Sequence, residues 1–266
     1  MSIYIRSLLF NVGFYLSLIV HIFVAIPTFL LPRRALFAVA NSWSRSANWM
    51  LRVFCDIRIE FRGLEKIPPG PLMIASKHQS AWETIGFLPL VRQPMYILKR
   101  ELTWIPFFGW YLWKARMIPV NRGAGAKTLT KMTEIARHRI RDGEGRQLII
   151  FPEGTRRPVG AEPRYKFGVA QVYVDCEVPC VPVALNSGLF WPRRTFLRYP
   201  GTLVVEFLDV IPPGLSRDEF LHKIESAVES ATARLVEEGR REQARLGVSQ
   251  NLPKLSVTPS TRTRRM

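Results

Sequence analysis

Cysteine is scarce in this sequence, and this scarcity argues against stabilisation by a disulfide framework or by a structural zinc ion. The 266-residue chain has three cysteines, Cys55, Cys176 and Cys180. An odd number without a disulfide framework or a signal-peptide cleavage pattern indicates a reducing compartment. No Cys or His pair with zinc spacing accompanies them, so we interpret the cysteines as packing residues and predict no metal site.

Nucleotide-binding loops are also lacking. The glycines near Arg122 resemble such a loop, but the segment 123–128 has Ala before its Lys, where a P-loop needs Gly. It also lacks the third glycine of a dinucleotide-binding loop. We therefore predict no nucleotide cofactor.

Acidic residues are few relative to basic ones. Asp and Glu total 21 against 38 Lys and Arg, which gives a net charge of +17 and a pI near 10.5. Such a charge predicts an anionic partner: nucleic acid, an anionic membrane leaflet or an acidic protein. No RNA- or DNA-binding motif is present, so we do not expect nucleic acid. Residues 247–266, with no acid after Asn251, are predicted to be a disordered basic tail.

Charged residues are absent between Arg6 and Arg33, and this absence predicts contact with lipid. The stretch 8–31 is long enough to cross a hydrocarbon core and too long for a signal peptide. Pro27, with the polar Asn11 and His21, leaves open a bent helix that enters one leaflet and turns back.

The basic residues on either side of this stretch predict its orientation. More arginines follow it than precede it, so the downstream chain is expected in the cytoplasm. The following arginines are Arg33, Arg34, Arg45 and Arg52.

The next segment has the period of an amphipathic helix, with basic and polar residues opposite an apolar face. We predict a helix lying on anionic headgroups, so that residues 1–55 form a membrane-associated motif. The alternative is a soluble amphipathic helix packed on the catalytic core. The apolar face consists of Leu36, Ala40, Trp43, Ala47, Met50 and Phe54.

Residues 56–246 show short apolar runs separated by helical patterns, which is typical of one α/β domain. We predict a mixed, largely parallel sheet of about seven strands flanked by helices. Helices are expected from Lys127 to Arg141 and from Ser216, where Glu219 completes a capping box. The predicted strands are 57–61, 72–75, 95–98, 116–120, 147–151, 180–185 and 202–207.

His78 and Glu83 are the first candidate catalytic residues. The strand 72–75 ends just before His78, and the spacing of Ser80 and Glu83 predicts a helix that begins at Ser80. Glu83 would then face back toward His78. A carboxylate on one ring nitrogen leaves the other free to act as general base. The alternative is that Glu83 only caps the helix.

Two more strand ends carry candidate binding residues. The strand 147–151 stops at Pro152 and presents the residues 153–156, while another strand leads to Arg122. Open α/β sheets bind ligands beyond the carboxyl ends of their strands. Arg122 is suited to hold a phosphate, although it is also compatible with a solvated surface arginine.

The segment 104–113 is dense in aromatic residues, with Trp104, Trp110 and Trp113 among them. Aromatic residues at this density usually form core. Beside a membrane motif they can instead line an acyl-chain groove or lie at headgroup level.

Four ordered motifs resemble those of the membrane-bound glycerolipid acyltransferases, and best match the 1-acylglycerol-3-phosphate acyltransferases. The resemblance runs from about Asp56 to Phe207, and residues 3–54 look like the family's two-helix membrane motif. The four motifs lie at 78–83, 118–122, 151–156 and 178–183.

The resemblance implies transfer of a fatty acyl group to the hydroxyl of a lysophospholipid at the cytoplasmic membrane. The donor would be acyl-CoA or acyl-acyl-carrier-protein, as co-substrate and with no cofactor. His78 would be the general base and Glu83 its orienting acid. The remaining predicted site residues divide by role: Arg122, Arg156, Lys99 and Lys166 for the acceptor phosphate, Glu153, Gly154 and Thr155 for the shape of its site, and Val181 and Pro182 for the donor or acyl side.

This chain departs from the family at two positions. The family usually has Asp where Glu83 stands, and a small residue is common where Arg157 stands. Other hypotheses stay open: a phosphate-free acceptor such as a lyso-ornithine lipid, or a non-catalytic lipid-binding protein on the same scaffold.

Overall fold

The computed structural model describes residues 1–121, 125–143 and 145–248, with only the backbone described at 125–127. The strands are β1 (Ile57–Arg62), β2 (Leu72–Ser76), β3 (Pro94–Lys99), β4 (Ile118–Val120), β5 (Gln147–Ile150), β6 (Cys180–Leu185) and β7 (Gly201–Phe207). The helices are α1 (Ile3–Val24), α2 (Arg33–Cys55), α3 (Glu83–Gly86), α4 (Phe108–Lys114), α5 (Gly125–Ile140), α6 (Phe167–Cys176) and α7 (Arg217–Arg245).

The strands form one mixed sheet in the order β1-β7-β6-β2-β5-β3-β4. Every neighbouring pair is parallel except β6 and β7. The predicted fold class is therefore confirmed. Because β6, β2, β5, β3 and β4 run in one direction, their carboxyl ends lie at one edge of the sheet, which we call the carboxyl edge.

Each face of the sheet packs against its own layer of helices. Side chains alternate along a strand, so Leu72 and Ile74 of β2 join a core with the N-terminal helices. Met73 and Ala75 join the opposite core, with α5, α6 and α7. The sheet is thus buried on both faces, as expected for largely parallel strands.

The helix α1 ends before Pro27, where a 3-10 turn at Ile26–Leu30 begins. Proline lacks the N–H that a continuing α-helix needs, so the chain turns there. The helix α2 then returns antiparallel to α1, and the Sγ of Cys55 lies 3.7 Å from the carbonyl oxygen of Arg6. We call this pair the helical hairpin.

The helix α1 with its turn, Ile3–Leu30, is long and apolar enough to cross a membrane, and few of its residues are buried in the protein. Two of its polar side chains face inward. Asn11 contacts Arg198 and Phe196 of the α/β domain, and His21 contacts Ser42. These two polar residues are therefore bonded within the protein, and the exposed surface of the helix is mostly apolar.

The prediction for α2 needs correction. Its apolar face is not turned to headgroups, because Leu36, Ala47 and Met50 are buried against α1 and the catalytic domain. The alternative, packing on the catalytic core, describes this face.

Both predicted downstream helices are present, as α5 and α7. The second capping box is confirmed at α7, where the N–H of Glu219 donates to Ser216 Oγ at 3.3 Å and Glu219 accepts from the Ser216 N–H at 2.9 Å. The domain boundaries stay predictions, and residues 249–266 of the predicted tail lie outside the described residues.

Candidate active site

His78 and Glu83 lie in contact at the carboxyl edge, just beyond β2. The Nδ1 atom of His78 is 3.1 Å from Oε2 of Glu83. The Glu83 side chain is fully buried, whereas the imidazole keeps 12% of its surface exposed. Among the described residues, no hydrogen bond occupies the second ring nitrogen, Nε2. This geometry leaves one nitrogen fixed by a carboxylate and the other free for a substrate.

The helix that carries Glu83 differs from the prediction. It begins at Glu83 instead of Ser80 and is four residues long. The Ser80 hydroxyl accepts from the N–H of Trp82 at 3.1 Å, not from that of Glu83. The Glu83 carboxylate accepts from the N–H groups of Ser80 and Gln79 at 3.0 and 3.3 Å. The bond from the Ser80 N–H is one half of the predicted capping box, and the other half, from the Glu83 N–H to the Ser80 hydroxyl, is not formed.

Ser187 is a site residue that the sequence did not reveal. It follows β6, the neighbour of β2, and its fully buried hydroxyl donates to Oε1 of Glu83. Beside it, the N–H of Gly188 donates to the side-chain oxygen of Gln79 at 3.1 Å. The only feature of the sequence that could have indicated Ser187 is that a polar residue follows closely after an apolar strand. The loop after β6 therefore fixes the carboxylate from the side opposite His78.

The imidazole ring of His78 is held by the end of β5. It lies parallel to the ring of Phe151, with 3.9 Å between the centroids and 15° between the planes. The N–H of Arg157 donates to the carbonyl oxygen of His78 at 2.8 Å. Two adjacent strand ends, those of β2 and β5, thus position the candidate base.

Glu153 lies in a buried ion-pair cluster. Its Oε1 is 3.1 Å from Nζ of Lys77, which also contacts Glu229 of α7 at 2.7 Å. Burial raises the pKa of the Glu153 carboxyl, although Lys77 opposes the shift. Tyr165 donates to Glu229 at 3.0 Å. Lys77 was not predicted as a site residue, yet it joins the loop after β5 to α7.

Gly154 and Thr155 form the exposed turn after Glu153. Gly154 has φ +66, a left-handed conformation that favours glycine, and its N–H donates to the Phe151 carbonyl at 2.9 Å. Lys166 is exposed at the start of α6, and its N–H donates to the carbonyl of Pro152 at 2.9 Å. Lys166 therefore lies beside the turn, and its predicted role in binding the acceptor phosphate stays a prediction.

Arginines gather on the exposed side of this turn. The Nη1 atom of Arg193 donates to the carbonyl oxygen of Arg156 at 2.8 Å. Burial lowers the pKa of the Arg193 guanidinium, and the nearby positive charges lower it further. Such crowding of like charges suits an anionic ligand. We call these residues the arginine cluster: Arg156, Arg157, Arg193 and Arg194.

Other predicted site residues are placed less favourably. Lys99 is exposed at the end of β3 and pairs with Glu101 at 3.0 Å. Arg122 lies outside the described residues. Val181 and Pro182 are buried within β6, a central strand. Their predicted role on the acyl side stays a prediction.

A metal is not needed to explain these contacts. Within the ranges that the structure describes, no group of three or more His, Cys, Asp or Glu residues is arranged to hold a metal ion. The absence of a metal site stays a prediction. The three cysteines are all free and buried.

The arrangement combines a histidine with one free ring nitrogen, a buried carboxylate behind it and a group of arginines beside it. A general base of this kind removes a proton from a hydroxyl and contributes roughly 10²–10⁴ in rate. The arginines suit a phosphate or another compact anion.

Comparison with known proteins shows relatives with similar sequences and a similar fold. The family model described as Acyltransferase matches residues 58–186. The 1-acyl-sn-glycerol-3-phosphate acyltransferase of Pseudomonas aeruginosa is 40% identical over 178 residues, covering 66% of this chain and 68% of that protein. The human 1-acyl-sn-glycerol-3-phosphate acyltransferase alpha is 32% identical over 173 residues, covering 64% of this chain and 60% of the human protein.

A solved structure is similar over most of its length. The crystal structure of the 1-acyl-sn-glycerophosphate acyltransferase from Thermotoga maritima superimposes with a TM-score of 0.70 and 25% sequence identity. The match covers 87% of this chain and 97% of the other. The chain therefore belongs to the acyltransferase family, as an enzyme most similar to its 1-acyl-sn-glycerol-3-phosphate acyltransferases.

Proposed function

We propose that this enzyme transfers a fatty acyl group to the sn-2 hydroxyl of 1-acylglycerol-3-phosphate and so forms phosphatidic acid. The names of its relatives support this acceptor. The single observation that carries the proposal is the contact between His78 and Glu83, in a loop whose His78 carbonyl accepts a hydrogen bond from the N–H of Arg157 in the arginine cluster.

In the proposed reaction, Nε2 of His78 takes the proton from the sn-2 hydroxyl as its oxygen attacks the thioester carbonyl. The C–O bond forms, the tetrahedral intermediate collapses, and the C–S bond breaks. The protonated imidazole then returns its proton to the departing thiolate. Glu83 orients the ring throughout and stabilises its charged form, because its carboxylate contacts Nδ1.

The acceptor phosphate is proposed to bind at the arginine cluster. A phosphomonoester carries nearly two negative charges at neutral pH, so it is best held by several fixed cations. Arg193 donates to the Arg156 carbonyl, and the N–H of the next residue, Arg157, donates to the His78 carbonyl, so the cluster is next to the His78 loop. Lys166 and Thr155 are also exposed at this turn.

The donor is proposed to be an acyl thioester of coenzyme A or of acyl carrier protein. Both present the same reacting carbonyl, and the mechanism at His78 is the same for either. No cofactor is required, because the thioester already activates the acyl group.

We also propose that the catalytic domain faces the cytoplasm at the inner membrane. The excess of arginines after α1, with Arg34, Arg45 and Arg52 downstream, supports that orientation. Protease digestion of spheroplasts and of inverted membrane vesicles tests it. Cleavage of the catalytic domain only in inverted vesicles is the expected result.

The decisive experiment is a panel of acceptors and donors, assayed with membranes that contain the parent protein or His78→Ala. Acceptors are 1-acylglycerol-3-phosphate, lysophosphatidylglycerol and lyso-ornithine lipid, and donors are acyl-CoA and acyl-acyl-carrier-protein. We expect transfer to 1-acylglycerol-3-phosphate by the parent alone. Preferential transfer to lyso-ornithine lipid would show that the proposed acceptor is wrong. Absence of thiol release with every acceptor would favour the hypothesis of a non-catalytic lipid-binding protein.

A further inference from the structure

A group of large apolar side chains is exposed on the segment between β3 and β4. The exposed fractions are 67% at Trp104, 46% at Ile105, 56% at Trp110 and 79% at Trp113. We call these four residues the aromatic ridge. Exposed clusters of this kind mark binding surfaces, because water-facing tryptophans are otherwise unfavourable. Neither core packing nor an enclosed groove describes these side chains.

The aromatic ridge is continuous with the exposed end of the helical hairpin. Phe107, whose ring contacts Trp110 at 5.1 Å, also contacts Phe23 of α1 at 6.2 Å. The ring of Tyr111 stacks on Phe29 at 5.3 Å, and its hydroxyl donates to the carbonyl of Ile22 at 2.6 Å. These contacts tie α4 to the turn of the hairpin.

The turn of the hairpin is itself apolar and exposed. Leu30 is 93% exposed, and Leu31 is 50% exposed. Lys114 of α4 donates to the carbonyl oxygens of Phe29 and Leu31, at 3.3 and 2.9 Å. The ridge and the membrane-associated hairpin therefore form one apolar surface built from two parts of the sequence.

Basic side chains surround this surface. Arg100 lies over the ring of Trp104 at 5.9 Å, and Arg34 is exposed at the start of α2. Lys114 is between the ridge and the hairpin. The acidic residue of the segment, Glu101, is paired with Lys99. Tryptophans bordered by arginine and lysine are suited to the interface of an anionic lipid leaflet, where the rings lie at headgroup level.

The ridge begins at the same edge of the sheet as His78 and continues along α4. The strand β3 is parallel to β5, which is parallel to β2, so Trp104 and Ile105, after β3, lie at the carboxyl edge with His78. Trp110 and Trp113 lie on α4, along which the chain returns to the start of β4. We propose that the aromatic ridge is a second membrane contact, which inserts into the headgroup region of an anionic leaflet and fixes the orientation of the catalytic domain on it.

This inference does not depend on the acceptor proposed above, since it concerns the orientation of the catalytic domain on the membrane. It also differs from attachment by the hairpin. The hairpin alone would tether the enzyme, and the ridge would fix which side of the catalytic domain meets the lipid.

Fluorescence quenching at single introduced cysteines tests the proposal. The full-length variants Trp113→Cys and, as matched control, Leu64→Cys are labelled with a nitrobenzoxadiazole dye and reconstituted into phosphatidylethanolamine and phosphatidylglycerol vesicles. Leu64 is 41% exposed and follows β1, which is at the opposite end of the strand order from β3 and β4, so it lies far from the ridge. Labelling is specific, because the native cysteines are buried and burial raises the pKa of Cys176 to about 12.

We expect the dye at position 113 to be quenched by brominated acyl chains and protected from iodide. The dye at position 64 should be quenched by iodide and not by brominated acyl chains. Trp110→Cys repeats the measurement should Trp113→Cys fold poorly. Equal access of iodide to both positions in vesicles would overturn the proposal. So would protection from iodide at position 113 in vesicles without quenching by brominated acyl chains, because that result would indicate a second copy of the chain as the occupant.

Discussion

The hydroxyl of Ser187 donates a hydrogen bond to the carboxylate of Glu83, 104 positions earlier in the chain. The same carboxylate contacts Nδ1 of His78 with its other oxygen. Because Glu83 is fully buried, it has no water to replace a lost partner. The orientation of the candidate base thus depends on the loop after β6 as well as on its own loop.

Removing the Ser187 hydroxyl should weaken catalysis without altering the substrate site. In Ser187→Ala, Glu83 loses one donor and His78 is held less firmly, so we expect kcat to fall by about tenfold with KM little changed, equivalent to ~1.4 kcal/mol. Steady-state kinetics over a pH range measures the effect.

Ser44→Ala is the matched control for that change. Its buried hydroxyl donates to the Ile85 carbonyl at 2.9 Å, and no contact joins it to the dyad among the described residues. It should lose about 1 kcal/mol of stability and keep its kcat. Equal losses of kcat in the two variants would show that Ser187 is merely structural.

Glu83→Gln should abolish most activity while the domain remains folded. The amide can still accept from the Ser80 N–H, but it lacks the charge that stabilises a protonated His78. We expect kcat to fall by roughly 10²–10⁴. Glu219→Gln, in the capping box of α7, changes the same functional group far from the site and should leave kcat intact. Parent-like turnover of purified Glu83→Gln would refute the dyad.

His78→Ala should retain binding of 1-acylglycerol-3-phosphate and lose transfer. The acceptor phosphate is expected at the arginine cluster, which the substitution does not touch. Binding is measured by equilibrium dialysis, and transfer by thiol release. His222→Ala, at an exposed position of α7, is the control. Transfer by His78→Ala at the parental rate would exclude His78 as the base.

Lys77→Met should destabilise the protein, because it leaves the buried Glu153 with only the more distant Arg157, at 3.7 Å, as a charged partner. The side chain of Glu153 is 1% exposed, and removal of one member of a buried pair costs about 3–5 kcal/mol. Chemical denaturation in detergent measures this loss. The double variant Lys77→Met/Glu153→Gln should recover part of the stability, since the unpaired charge is gone. If the stability losses of the two single variants add up to that of the double variant, Lys77 and Glu153 are not energetically coupled.

The stability of the protein should depend on pH through Glu153. Burial raises the pKa of its carboxyl in the folded state, so between the unfolded and folded pKa values the folded protein holds a proton that the unfolded chain has released. The free energy of unfolding therefore falls as pH rises through that window. Glu153→Gln lacks this titration. Unfolding titrations from about pH 4 to about pH 8 should show the parent losing stability relative to Glu153→Gln as pH rises.

The sequence by itself determined the sheet, the hairpin and the central pair. Apolar runs of strand length lead directly into β2 and β5, and local chain geometry brings His78 and Glu83 together across five positions. The absence of charged residues between Arg6 and Arg33 likewise predicts α1 from the local sequence alone. These features depend on residues close in sequence, whose spacing carries the information.

Only the tertiary structure decided which residues support that pair and which surfaces stay exposed. Ser187 and Arg193 reach the site from the segment after β6, and Lys77 reaches it from the start of the loop after β2. Nothing in their local sequence indicates these partners. The same holds for α2, whose apolar face was compatible with protein as well as with the predicted lipid surface. Periodicity shows that a face is apolar, but only the packing of distant segments shows what covers it.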